Sequence, residues 1–205
     1  MNNTSLRVNR LSESATIAMA RKARELKFQG QDVISLSLGE PDFNTPDFIK
    51  DAAKQGIDQN YSKYMPVNGY LDLREAISKK FSRDNDINYT ADQIVVSTGA
   101  KQSIANVVLS CINPGDEVIV PAPFWVSYEE IIKMAEGTPV FIETSIENDF
   151  KITPSQLKNA ITDKTKMMIY SSPCNPSGSV YSKDELRSLA DVLVNYPLIL
   201  SLIHI

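Results

Sequence analysis

The sequence predicts an α/β protein, a mostly parallel sheet covered by helices on both faces in three layers. Two observations carry this. From residue 94 onward short apolar, β-rich runs alternate with helical stretches, and the runs are apolar throughout instead of alternating with polar residues, as strands buried on both faces are. In such folds ligands bind beyond the carboxyl ends of the strands, so function is expected in the loops that follow them.

The first elements are less regular. Arg7, Arg10, Arg21, Lys22 and Arg24 give the amino terminus a basic look that superficially matches an organelle transit peptide. Ile17, Ala20, Ala23 and Leu26 continue an amphipathic helical pattern, however, so the basic residues read more simply as a solvated helix face. Val33-Ile34-Ser35-Leu36 is strand-like. Thr45 is suited to cap a helix with Pro46 at its first position, running to about Gln59. Pro66 and Gly69 break the next segment before a helix from about Leu71 to Asp84.

The regular part then begins. Strands are expected at Ile94–Ser97, Glu117–Val120, Pro139–Ile142, Lys166–Tyr170 and Leu198–Leu200. Helices are expected at Ala100–Cys111, Trp125–Ala135, Pro154–Ile161 and Lys183–Val194.

Composition narrows the partners. A chain of 205 residues with 42% hydrophobic content can bury a core, and a net charge of −4 with mixed signs offers no basic stripe for nucleic acid or anionic membrane. A small-molecule partner is expected. No run is long and apolar enough to span a bilayer. Cys111 and Cys174 are far apart and outside any metal-binding spacing, which points to a reducing, cytoplasmic setting. The single histidine, His204, leaves no room for histidine-based triads. Sequons at Asn2 and Asn88 matter only in a secreted protein, and no signal peptide is present.

Three loops at strand ends carry candidate chemistry. Ser97-Thr98-Gly99-Ala100-Lys101-Gln102-Ser103 enters a helix through small residues, exposing backbone N–H groups that suit an anion with the helix dipole behind them. It is neither a Walker A loop nor G-x-G-x-x-G, and an ordinary tight turn is an equal reading. Pro121-Ala122-Pro123-Phe124-Trp125 places the only tryptophan at a strand tip, where it either packs in the core or stacks on a planar ring. Ser171-Ser172-Pro173-Cys174-Asn175-Pro176-Ser177-Gly178 holds Asn175 before a proline, either as a directed amide or as part of a surface turn. All three fall at the same edge of one expected sheet.

At these residues the chain resembles the fold-type I aminotransferases that depend on pyridoxal phosphate, nearest to the bacterial aspartate aminotransferase subgroup that includes aspartate/prephenate aminotransferases. The matching stretches are Leu38–Phe43, Lys63-Tyr64, Gly99–Gln102, Pro114–Val118, Pro121–Tyr128 and Asn175–Gly178. The resemblance implies an amino-terminal arm with part of a small domain over 1–45 and a truncated cofactor-binding large domain over 46–205.

It further implies that backbone amides around Gly99, Ala100 and Lys101 hold the cofactor phosphate, that Trp125 stacks on the pyridine ring and that Asn175 bonds the ring hydroxyl. In the family the bonds before Pro123 and Pro176 are often cis. Gly39 would lie against the substrate carboxylate, and Thr16 where the amino-terminal helix approaches the substrate. Tyr64 would reach the phosphate in a neighbouring subunit, which implies a homodimer.

The implied reaction is transamination in amino-acid metabolism, between aspartate foremost and a 2-oxo acid such as 2-oxoglutarate; a C–S lyase shares the same motifs. The family also uses a Schiff-base lysine and a Ser-Asp-Glu-x-Tyr stretch, which follow Tyr196-Pro197 in its members. Here the sequence reads Leu198–Ile205, unlike the family, and Lys101 and Lys166 are not in the lysine's position. The alternative expectation is a truncated or frameshifted product, catalytically incompetent without that lysine, that at most binds the cofactor.

Overall fold

The computed structural model describes residues 3–203. In chain order the elements are α1 (Leu6–Asn9), α2 (Ala15–Phe28), α3 (Asp47–Asp58), α4 (Leu71–Asn85), α5 (Ala100–Cys111), β1 (Glu117–Pro121), α6 (Ser127–Met134), β2 (Thr138–Ile142), α7 (Pro154–Ala160), β3 (Thr165–Ser171), α8 (Lys183–Leu193) and β4 (Ile199–Ile203). They fall into two compact units, one drawn from 1–18 and 99–205 and the other from 19–98. His204 and Asn2, singled out in the sequence, lie outside the described residues.

The larger unit is built on four parallel strands in the order β2-β1-β3-β4. Side chains alternate across a strand, and here the alternation divides the core in two. Val118, Val120, Met167 and Ile169 face α5 and α6, packing on Ile104, Val108, Tyr128, Ile131 and Ile132. Ile119, Met168 and Tyr170 face the other way, onto Leu157 of α7 and Leu189 of α8. The expected three-layer αβα architecture follows directly. Both faces of β1 and β3 are buried, which is why these strands read as unbroken apolar runs.

The strand order fixes where a ligand would bind. The chain leaves β1 through α6 to reach β2 on one side, then returns through α7 to β3 on the other side of β1. Crossovers of one hand that reverse direction must place their helices on opposite faces, as α6 and α7 are. The reversal makes a crevice beyond the carboxyl ends of β1 and β3.

Local chemistry explains the element ends. Thr153 and Ser182 open α7 and α8 with capping boxes completed by Gln156 and Glu185. Gly137 has its own reason: a Cβ there would lie 2.6 Å from Cγ2 of Ile112, so only glycine lets the turn before β2 pack this closely.

In the second unit, α4 is anchored by Arg74, which is buried and donates from Nε to the Gly69 carbonyl at 3.1 Å and from Nη1 to the Ala91 carbonyl at 2.6 Å.

Four expectations need correction. Ile94–Ser97 is not a strand: the Val96 N–H donates to the Asn68 carbonyl at 3.1 Å, and no ladder partner lies beside the segment among the described residues. Val33–Leu36 likewise forms no strand among the described residues, with Ile34 and Leu36 almost fully exposed. Apolar β-branched residues favour a strand, but a strand exists only with a neighbour to bond. Thr45 does not cap α3; Pro46 occupies the cap position and the helix begins at Asp47. The helix expected from Trp125 begins at Ser127, leaving Trp125 in the loop.

Candidate active site

Two of the three candidate loops meet at the crevice. The loop after β1 carries Trp125, and the loop after β3 carries Asn175. They are joined where the Cys174 thiol donates to the Pro123 carbonyl at 3.4 Å. The β3 loop is shaped from within: the Asn175 N–H donates to Ser171 Oγ at 3.1 Å, and the Gly178 N–H to the Cys174 carbonyl at 2.8 Å. The peptide bonds before Pro123 and Pro176 are cis, as the resemblance implies, and so is the bond before Pro173. The Asn175 residue is exposed.

The third loop arrives differently from what the sequence suggests, because no sheet strand precedes it. Gly99 instead caps α5 with φ 79° and ψ 164°, a conformation essentially confined to glycine. Its carbonyl accepts from the Gln102 and Ser103 N–H groups, while the Ala100 and Lys101 N–H groups have no backbone acceptor among the described residues. A Cβ at Gly99 would meet nothing within 4 Å beyond its chain neighbours. A twelve-residue helix behind them adds a positive end to the donors.

The Lys101 side chain connects this turn to the β1 loop. Its ammonium lies 4.9 Å from the centre of the half-buried Trp125 ring, within cation–π range. Trp125 also packs edge-to-face with Tyr128, with centroids 5.6 Å apart at 89°. Burial pushes the Tyr128 phenol up, and a hydrogen bond with Ser171 offsets part of that. Tyr128 and Ser171 do not stand out in the sequence, although both lie inside the stretches that define the loops; only the fold brings them together.

Beside Lys101 lies a cavity of about 390 Å³ whose walls include Leu11, Ser12, Ala15, Ser127 and Glu130. Its amino-terminal wall is fixed by the Ser12 N–H, which donates to Glu130 Oε2 at 2.8 Å. Thr16, half-buried, is the second residue of α2 just beyond that wall. Gly39 and Tyr64 belong to the second unit. There Tyr64 is fully exposed, and nothing lies within 4 Å of a Cβ placed on Gly39. No group of three or more metal-ligating side chains occurs among the described residues, and none of their helices is long and apolar enough to cross a membrane.

The chain is thus an α/β domain on a parallel sheet, with Trp125 and Asn175 on the loops beside its switch point and the Gly99 turn opening α5. The family model described as aminotransferase class I and II matches residues 31–202, and the chain belongs to that family, which uses pyridoxal phosphate.

Among its relatives are an aspartate/prephenate aminotransferase of Nitrosomonas europaea, 52% identical over 96% of this chain and 49% of the relative, and an aspartate aminotransferase of Bacillus subtilis, 46% identical over 95% and 49%. The solved aspartate aminotransferase of Thermus thermophilus with maleate superposes with a TM-score of 0.95 at 41% identity, covering all of this chain and 54% of that one. The chain spans about half the length of the curated relatives it matches.

Proposed function

We propose that this chain forms the phosphate- and ring-binding half of a pyridoxal-phosphate-dependent aminotransferase acting on aspartate, with 2-oxoglutarate as the amino acceptor. The single observation that carries the reading is the juxtaposition at the α5 start: two backbone donors at a glycine turn, with the Trp125 ring one lysine side chain away. A phosphate fits the donors, and a flat ring held next to it fits the tryptophan face.

When bound, pyridoxal phosphate supplies an electron sink for the pair left behind as a substrate loses its α-proton. This chain's residues hold and orient. The Ala100 and Lys101 amides bind the phosphate, and Gly99 permits its approach. Trp125 covers one face of the ring, and the Asn175 side chain donates to the ring hydroxyl. Assignment of Gly39 and Thr16 to the substrate, and of Tyr64 to the phosphate bound by a second subunit of a homodimer, rests on the family resemblance. The aspartate preference rests on the names of the relatives, several of which also act on prephenate by name.

The sole tryptophan supplies the test. Titration of the 205-residue chain with pyridoxal phosphate is expected to quench Trp125 emission saturably, and Gly99→Ala to weaken that binding. No saturable quenching would sink the binding reading. Borohydride treatment and a transamination assay then decide activity: a chain that binds without gaining a pyridoxyl group or turning over is a cofactor-binding piece only.

A further inference from the structure

The two ring-facing side chains stand on loops from different strands, and a bound ring requires both to be fixed to within about half an ångström. Trp125 is half-buried and Asn175 exposed, so neither is held by the core alone. Between them sit two residues with almost no exposure, Ser171 at 4% and Tyr128 at 2%.

Ser171 is the last residue of β3 and Tyr128 lies in the first turn of α6, and both wall the same narrow cavity beneath the crevice. A serine hydroxyl has two acceptor sites and one donor, so Ser171 Oγ can accept the Asn175 N–H and still pair with the Tyr128 hydroxyl. Tyr128 meets the Trp125 ring with its own ring.

We propose that Ser171 and Tyr128, which line one narrow cavity, are positioning residues that couple the two loops: Ser171 holds the Asn175 backbone, Tyr128 holds the Trp125 ring, and a pairing of their two hydroxyls sets the spacing of amide and ring. The functional consequence rests on the proposed cofactor-binding role, while the coupling itself does not.

The test uses the full chain as Ser171→Ala, Tyr128→Phe and the double variant, with amide hydrogen exchange of the 172–178 segment read by mass spectrometry and pyridoxal phosphate affinity read from Trp125 emission. Removing the acceptor is expected to speed Asn175 exchange about tenfold. Tyr128→Phe keeps the ring contact with Trp125 and loses only the hydroxyl, yet should speed exchange in the same segment about threefold. The double variant should exchange no faster than Ser171→Ala, because one chain of contacts is broken once.

Cofactor affinity should fall in the same order. If Tyr128→Phe leaves the 172–178 segment at the wild-type rate, or if the two effects multiply, the coupling is wrong. Should Ser171→Ala lose its far-UV circular dichroism, Ser171→Thr and Tyr128→Phe decide instead: the threonine must retain wild-type exchange and the phenylalanine must not. Absent cofactor binding by the wild type would refute the proposed function but leave the exchange result to judge the coupling.

Discussion

The Lys101 ammonium lies 4.9 Å from the centre of the Trp125 ring, so the turn that opens α5 and the loop that follows β1 are joined by a side chain as well as by the core. A cation over an aromatic face at a partly exposed site contributes about 0.5–1 kcal/mol. Lys101→Met should therefore lower stability to urea by no more than that and shift Trp125 emission. Its effect on phosphate binding should be small, since the donors there are backbone. A loss of cofactor affinity beyond about tenfold would mean that the ammonium itself binds the ligand.

Gly99 tests the cradle by backbone alone. With φ 79° and ψ 164° and open space where an added methyl would stand, alanine is opposed by its torsions and not by a neighbour. Gly99→Ala should cost about 1–3 kcal/mol in urea unfolding or shift the turn, and either way weaken pyridoxal phosphate binding. Full stability combined with wild-type affinity would remove the turn from the site.

Gly137 is the complementary case, a glycine required by contact and distant in role. A methyl there would stand 2.6 Å from Ile112 Cγ2 and 3.3 Å from the Asp116 carbonyl oxygen, so the α5–β2 packing must spread. Gly137→Ala should lower stability by about 1–3 kcal/mol, measured by chemical unfolding, while leaving Trp125 quenching by the cofactor unchanged.

The contrast between these residues explains what the sequence could reveal. The boundaries of α5 and, to within a residue, of β1, β2 and β3 were legible because apolar period and caps are local properties, whereas β4 runs on to Ile203 beyond the expected Leu198–Leu200. Ser182 with Glu185 and Thr153 with Gln156 mark helix starts without any tertiary information. Ile94–Ser97 and Val33–Leu36 have strand composition, but pairing depends on a neighbour that composition does not specify. At the site, Gly99, Trp125 and Asn175 stood out because a tight turn, a lone tryptophan and an Asn-Pro are unusual in isolation. Tyr128 and Ser171 are ordinary residues that stand out only by touching Trp125 and Asn175 respectively, and 43 positions separate them in sequence. Glu130 is hidden for the same reason, its partner being the Ser12 backbone.

The edge of the sheet gives the last prediction. β4 pairs with β3 on one side and with no strand on the other among the described residues, and Leu200 and Leu202 are 49% and 48% exposed. A row of unpaired backbone groups with apolar side chains beside it is a template for another strand. The isolated chain should therefore self-associate, with sedimentation showing oligomers that grow with concentration. Replacing Leu200 and Leu202 together by lysine should shift the distribution toward monomer, because charges on an edge strand oppose pairing and the two side chains share one face. The α5–α6 core lies across β1 and β3 and is untouched by either change, so far-UV circular dichroism should be preserved. A wild-type chain that sediments as a cooperatively melting monomer, or a double variant that associates as before, would show that the β4 edge is not the surface responsible.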